Sequence, residues 1–265
     1  LPDADDSAAG GGVGPVCVSL SVATLSMALG YGVLVGSYFG VSPAEDSVLA
    51  VLNHLDIHDF DLMITLSVVI GVLHLMLANG MKAAYHWGHY SAWVAVGWNG
   101  FLLGAVMLWL TKTGALSVIL VNVSWIFIAV GLLLVIFYAG GDRSVHNAKD
   151  AMSRLLSGIY ALTHATQAFG DVLSYLRLFA LGLASSALAV TFNQLSSDVM
   201  QAMPGVGILL GLLILLLGHV LNLALAVMSG VVHGLRLNFI EFYNWGLSDE
   251  GYPFRAFKKK ELLHE

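Results

Sequence analysis

The sequence predicts an all-helical, polytopic membrane protein, and three observations carry that expectation. Hydrophobic residues make up 58% of the 265-residue chain and charged residues 11%, against roughly 25% charged residues in a soluble domain. Mean hydropathy is +0.82. The apolar residues gather into runs long enough to cross a hydrocarbon core about 30 Å thick. Backbone groups in lipid must satisfy one another, so such runs are helices.

Residues 1–15, LPDADDSAAGGGVGP, read as an acidic, Gly-rich segment. It has no basic stretch ahead of an apolar one, so no cleaved signal peptide is expected; it suits a linker, or a chain that begins partway through a longer one. A transmembrane domain follows over 16–245. Its first four helices are predicted at 16–38, 62–81, 92–110 and 115–138, and two much longer ones at 153–195 and 205–245. Turn-forming stretches separate them: GVSPAED, HWGHYS, TKTG, GGDR and MPG. The last two helices are each roughly forty residues, about 60 Å at 1.5 Å per residue, so they must tilt or project beyond the bilayer. Residues 246–265 form a basic tail.

Six helices place both ends on one side, and the Lys and Arg distribution makes that side cytoplasmic. Inner loops and ends then hold Lys82, Arg143, Lys149, Arg154, Arg255 and Lys258 to Lys260, whereas the outer loops hold only Lys112. The acids Glu45, Asp46, Asp56, Asp59 and Asp61 fall in an outer loop. A multi-pass membrane protein with cytoplasmic ends fits this pattern.

Several function classes find no support. A single cysteine, Cys17, allows no internal disulfide, CxxC pair or thiolate metal site. No nucleotide-binding loop, nucleophile triad or nucleic-acid patch is visible, and no cofactor is expected. His86 and His89 in HWGHY have a spacing seen in some metal sites, but no acid or third ligand lies nearby, so an aromatic-rich interfacial loop is the expectation. His54 and His58 in HLDIHD read as part of a solvated acidic loop. Trp87, Trp93, Trp98 and Trp109 lie near helix ends, as interfacial aromatics do.

The informative residues are charged ones in the wrong solvent. Arg177 stands inside GDVLSYLRLFALGLASSALAV, and Arg236 repeats the Leu-Arg-Leu triplet inside SGVVHGLRLNFIEF. An arginine at a helix centre costs about 2.5–3.5 kcal/mol to insert, and such residues mark function by default. On a helical wheel His164, Gln167, Asp171, Ser174 and Ser185 share one stripe of the first long helix, with Arg177 at its edge. On the second, His219, Asn222, Ser229 and His233 share a stripe flanked by Arg236. Each of these could instead hydrogen-bond neighbouring helices together. Arginine needs an acid partner or a polar route. Asp171 and Arg177 sit about 120° apart on their helix, which suits a salt bridge poorly.

At these residues the chain resembles a known family. FGDVLSYLRLFALGLA and NLALAVMSGVVHGLRLNFIEFYNW resemble the membrane domain of the large stator subunit of rotary V/A-type ATPases, subunit a or subunit I. LGYGVLVGSYFG, MITLSVVIGVLHL and the closing GYPFRAFKKKE are similar to other parts of that domain. The resemblance implies two long tilted helices lying against a rotating ring of small membrane subunits that each carry a carboxylate. Offset aqueous half-channels would let protons or sodium ions reach that carboxylate from opposite sides. Peripheral-stalk and central-stalk subunits would be further partners, with ATP chemistry on other subunits.

The motif match assigns the ring-facing charge to Arg177 and a second arginine to Arg236. His233, Ser229, Asn222, His219, Gln167, Asp171, Ser174 and His164 would line the half-channels. Eukaryotic relatives carry an acid one helical repeat before His233; here Ala226 holds that place, leaving Glu241 near the cytoplasmic end as a candidate. Members also carry a cytoplasmic N-terminal domain and two helices ahead of the part matched here. Rival readings are a stand-alone secondary transporter or channel, for which paired broken helices would speak, and a purely structural scaffold.

Overall fold

The computed structural model describes residues 13–36, 38–43, 47, 55, 59–141 and 148–247. The segment up to residue 12, Glu45, Asp46, His54, Asp56, His58, Arg143, the Lys149 side chain and the tail beyond residue 247 with its basic cluster lie outside the described residues.

The described residues are almost entirely helical. In chain order come α1 (Val13–Val35), α2 (Phe60–Tyr85), α3 (Tyr90–Lys112), α4 (Leu120–Tyr138), α5 (Ala148–Ala161), α6 (His164–Ser174), α7 (Leu176–Ala202) and α8 (Val206–Arg236). A π-helix over Leu237–Phe242 and a last turn, α9 (Tyr243–Gly246), follow. Among the described residues six helical stretches are long and apolar enough to cross a membrane, and the last two, Asp150–Ala202 and Val206–Gly246, are 53 and 41 residues long.

Local chemistry explains the ends. α1 stops at Val35 because Gly36 takes φ +66°, the left-handed geometry in which glycine terminates helices. Tyr38 and Val41 then exchange two backbone hydrogen bonds at 3.0 Å. The stretch from Asp150 to Ala202 is not one uniform helix. Around Leu162 and Thr163, and again at Tyr175, backbone N–H groups donate to the carbonyl three residues back. Thr163 and Tyr175 keep right-handed helical dihedrals, so these are tightened 3₁₀ turns and not breaks.

The chain divides into two compact units. The first comprises Leu1–Ser67 and Leu176–His233, the second Val68–Tyr175 and Gly234–Glu265.

In the first unit, small residues bring α7 and α8 together. Gly207, Gly211 and Gly218 are buried on α8, as are Ser186, Ala189 and Ser196 on α7. A Cβ at Gly218 would stand 2.3 Å from the Phe192 ring, and one at Gly211 2.5 Å from Met200. Close approach of this kind, with hydroxyls bonding across it, is how helices associate without a hydrophobic drive. Ser196 Oγ donates to the Gly211 carbonyl at 2.9 Å. Val35 and Met63 pack with Leu55 and Phe179, and Phe60 meets Phe179 edge-on.

In the second unit, α3 and α4 interlock in the same way. Gly97 and Gly104 lie against the Gly131 and Ser124 carbonyls, so neither could carry a side chain without displacing backbone. Gly158 of α5 lies on the Ile136 carbonyl. Arg154 closes this corner: its Nε donates to the Phe137 carbonyl at 3.1 Å, and its guanidinium sits 5.8 Å from the Tyr90 ring centre. Tyr175 is fully buried over Gly71, where a Cβ would fall 2.7 Å from its ring.

Candidate functional site

Arg177 lies in the first turn of α7 and is half-buried. Its Nη1 is buried with no hydrogen-bond partner, and the side chain forms no ion pair, among the described residues. His233, near the C-terminal end of α8 in the same unit, is half-buried and also leaves Nδ1 buried and unpartnered. Ser229, one turn before it, is half-buried. Buried polar atoms without partners are rare and call for an account of what they face.

The other polar residues of the α8 stripe are committed to α7. Ser185 Oγ donates to Asn222 Oδ1, and Asn222 Nδ2 donates to the Ser185 carbonyl, both at 3.0 Å. His219 Nε2 pairs with Asn193 Oδ1 at 2.9 Å. Because an amide oxygen only accepts, the imidazole donates there through Nε2–H. Asn193 Nδ2 donates onward to the Phe39 carbonyl at 2.8 Å, and the Phe39 ring meets His219 edge-on at 5.4 Å. Sequence reading missed Asn193 and Phe39. Asn193 was visible as an amide on an apolar helix, but nothing local pointed to its partner.

In the second unit His164 Nδ1 and Gln167 Oε1 lie 3.0 Å apart, and both line a cavity of about 640 Å³ with Asn79, Lys82, His86, His89 and Asn244. Only His164 and Gln167 of that lining were singled out as channel residues from the sequence. Asp171 accepts a 2.6 Å hydrogen bond from Trp245 Nε1, and Trp245 forms part of the same cavity wall. Ser174 bonds back to the Gly170 carbonyl of its own helix at 3.2 Å. His74 Nδ1 meets Tyr175 Oη at 2.7 Å, and its ring stacks on Phe242 at 4.4 Å; no local pattern singles out this pair. Arg236, the last residue of α8, is exposed. Glu241 lies in the π-helix, 1% exposed, with Oε2 unpartnered among the described residues. A π segment widens the helix by one residue per turn and recurs at functional positions.

These groups can hold charge and pass hydrogen bonds. Among the described residues no cluster of three or more His, Cys, Asp or Glu side chains could hold a metal ion.

No family model matches the chain. Individual curated proteins do align with it over part of their length. Over 201 residues, 75% of this chain, it is 32% identical to the V-type ATP synthase subunit I of Chlamydia pneumoniae. Over 242 residues, 86% of the chain, it is 31% identical to the V-type ATP synthase subunit I of Borreliella burgdorferi. Over 255 residues, 88% of the chain, it is 30% identical to the A-type ATP synthase subunit I of Pyrococcus abyssi. This chain is homologous to part of the V/A-type ATP synthase subunit I. It spans 28%, 39% and 35% of the lengths of those three relatives. As a subunit I homologue with six helices able to cross a bilayer, it is a multi-pass membrane protein. The resemblance first carried by Phe169–Ala184 and Asn222–Trp245 thus extends over most of the chain.

Proposed function

We propose that this chain is the ion-translocating membrane part of a V/A-type rotary ATPase stator, tilting its two long helices against a ring of small subunits that each bear a carboxylate. Protons or sodium ions would reach the ring through two offset half-channels. Arg236, His233, Ser229, Asn222 and His219 would serve one helix face, and Gln167, Asp171, Ser174, His164 and Glu241 would serve the other long segment and the cytoplasmic end. Peripheral-stalk and central-stalk subunits would complete the machine, with ATP made or hydrolysed elsewhere in it. Both termini would face the cytoplasm of a prokaryotic cell, as the Lys and Arg distribution supports.

One observation carries this reading. Arg177 keeps a guanidinium in a membrane-crossing helix, with Nη1 buried and without an ion-pair partner among the described residues. A cation in that position is stabilised if a carboxylate comes to it from another subunit. A ring carboxylate in lipid favours its neutral, ion-bound form, because burial disfavours charge. Passing a fixed cation reverses that preference, and the bound ion leaves. Lysine could answer by losing its own proton; arginine does not. The same charge opposes a cation crossing directly from one half-channel to the other.

The test is ATP-driven ion uptake in vesicles carrying Arg177→Gln, with assembly of the complex confirmed first. Uptake at background level with assembly intact supports the proposal. Uptake at the normal rate assigns Arg177 a structural role and removes the observation on which the proposal rests.

A further inference from the structure

The cavity of the second unit holds His164 and Gln167 of the proposed half-channel and, beside them, a cation that the half-channel reading leaves without a role. Lys82, in the last turn of α2, is half-buried at its wall and forms no ion pair among the described residues. His86, His89, His164, Gln167 and Asn244 share the lining, and none of the described lining residues is an acid. The nearest acid identified, Asp171, stands behind the wall on the indole N–H of Trp245. Donor groups with a cation and no carboxylate among them suit an anion, since a half-buried ammonium is costly until a negative charge reaches it.

Position and walls favour one source for that anion. The lining comes from helix ends: the end of α2, the start of α3 at Tyr90 and Ser91, and the end of α4 at Tyr138. Exposed aromatics crowd the same level. Tyr85 is 81% and Trp87 73% exposed, Trp87 lies beside Trp93, and Trp93 stacks on Tyr138 at 5.9 Å. Aromatic side chains gather in this way at the membrane–water boundary, where phosphodiester headgroups lie. Val94, Ala95 and Trp98 give the cavity an apolar side, so it can take a phosphate at one wall and glycerol or acyl carbons at the other. Basic pockets at this depth bind anionic headgroups.

We propose that this cavity is a binding site for the phosphate of an anionic phospholipid, with Lys82 as the charge partner and His89 as a hydrogen-bond donor beside it. The site goes beyond the rotary reading, although its wall includes His164 and Gln167 of the half-channel proposed there. A phosphate held there would also supply the negative charge that the lining lacks, beside His164 and Gln167.

Photoactivatable lipids test it in the assembled, full-length protein in nanodiscs, with labelled peptides mapped by mass spectrometry. Phosphatidylglycerol should label the wall around Val94–Trp98 and Trp245 about fivefold more than phosphatidylcholine, the preference expected from one basic group near the surface. Lys82→Gln should reduce that preference to near unity. Competition by millimolar inorganic phosphate would identify the free ion as a second source of the same group. Equal labelling by both lipids, or a preference unchanged in Lys82→Gln and in a His89→Gln variant, would overturn the proposal.

Discussion

At the scale of single residues, the decisive quantity is whether a polar atom taken out of water finds a partner. Asp171 does: Trp245 Nε1 donates to it at 2.6 Å. Trp245→Phe removes the donor and part of a buried ring, leaving the carboxylate partly buried without its partner, at a cost of about 1–3 kcal/mol from the lost hydrogen bond alone. A drop of a few degrees in the melting temperature of the detergent-solubilised protein is expected, and an unchanged value would show that water replaces the indole. Arg177 is the opposite case, with Nη1 buried and unpartnered. If it acts as proposed, Arg177→Lys should keep partial transport that declines as pH rises, because a lysine in an apolar setting sheds its proton and the arginine does not. A pH profile parallel to that of the unmodified protein would speak against an electrostatic role. Arg177 was conspicuous in the sequence because its cost is local: a guanidinium among Leu and Phe needs no tertiary information to stand out. The commitments of Asn222 and His219 were not legible, because their partners Ser185 and Asn193 lie on another helix.

At the scale of elements, the α7–α8 pair depends on glycine. Gly218 has no room for a Cβ beside Phe192, which a methyl group would approach to 2.3 Å. Gly218→Ala should therefore cost about 1–3 kcal/mol through overpacking, and adding Phe192→Leu should restore most of it. Thermal unfolding of the two variants checks this; failure of the second change to rescue would place the strain in the backbone. The spacing of Gly207 and Gly211 is readable in the sequence as a close-packing signal. The 3₁₀ turns at Thr163 and Tyr175 and the π-helix at Leu237–Phe242 were not readable. They change the helical twist by one bond per turn without any proline or glycine at the centre to announce it, so the sequence reads as unbroken helix there. Tyr175 shows one correlate of such a change: it fits over Gly71 and meets His74.

At the scale of the molecule, apolar surface is the main exposed material. Along α1, Val16, Val18, Leu20, Val22, Leu25 and Met27 are all exposed, and along α8 so are Leu209, Leu213, Leu217, Leu221, Leu225 and Val232. Apolar helix faces left exposed in this way belong in lipid or against another membrane helix. Leu225 and Val232 lie eleven and four residues before Arg236, spacings that put all three on one face in the roughly 3.6-residue repeat. In a Cys17→Ser background, which removes the chain's one cysteine, cysteines at Leu225 and Val232 should cross-link to a ring subunit if that face meets the ring. Cross-links found instead from the buried Ala189 would contradict both the packing and the proposal.

The sequence by itself determined the class of the protein, its six membrane-crossing stretches, its kinship and its most conspicuous charge. These follow from hydropathy, which is summed along a continuous segment, and from short motifs read residue by residue. Tertiary structure alone decided which polar side chains satisfy one another and which are left over. Asn222 closes on Ser185, His219 on Asn193 and Asp171 on Trp245, while Arg177 and His233 retain unpartnered nitrogens. It also gathered Lys82, His86 and His164 around one cavity. Hydrogen bonds and cavities depend on distances of a few ångströms between segments far apart in the chain, and no local periodicity encodes those distances.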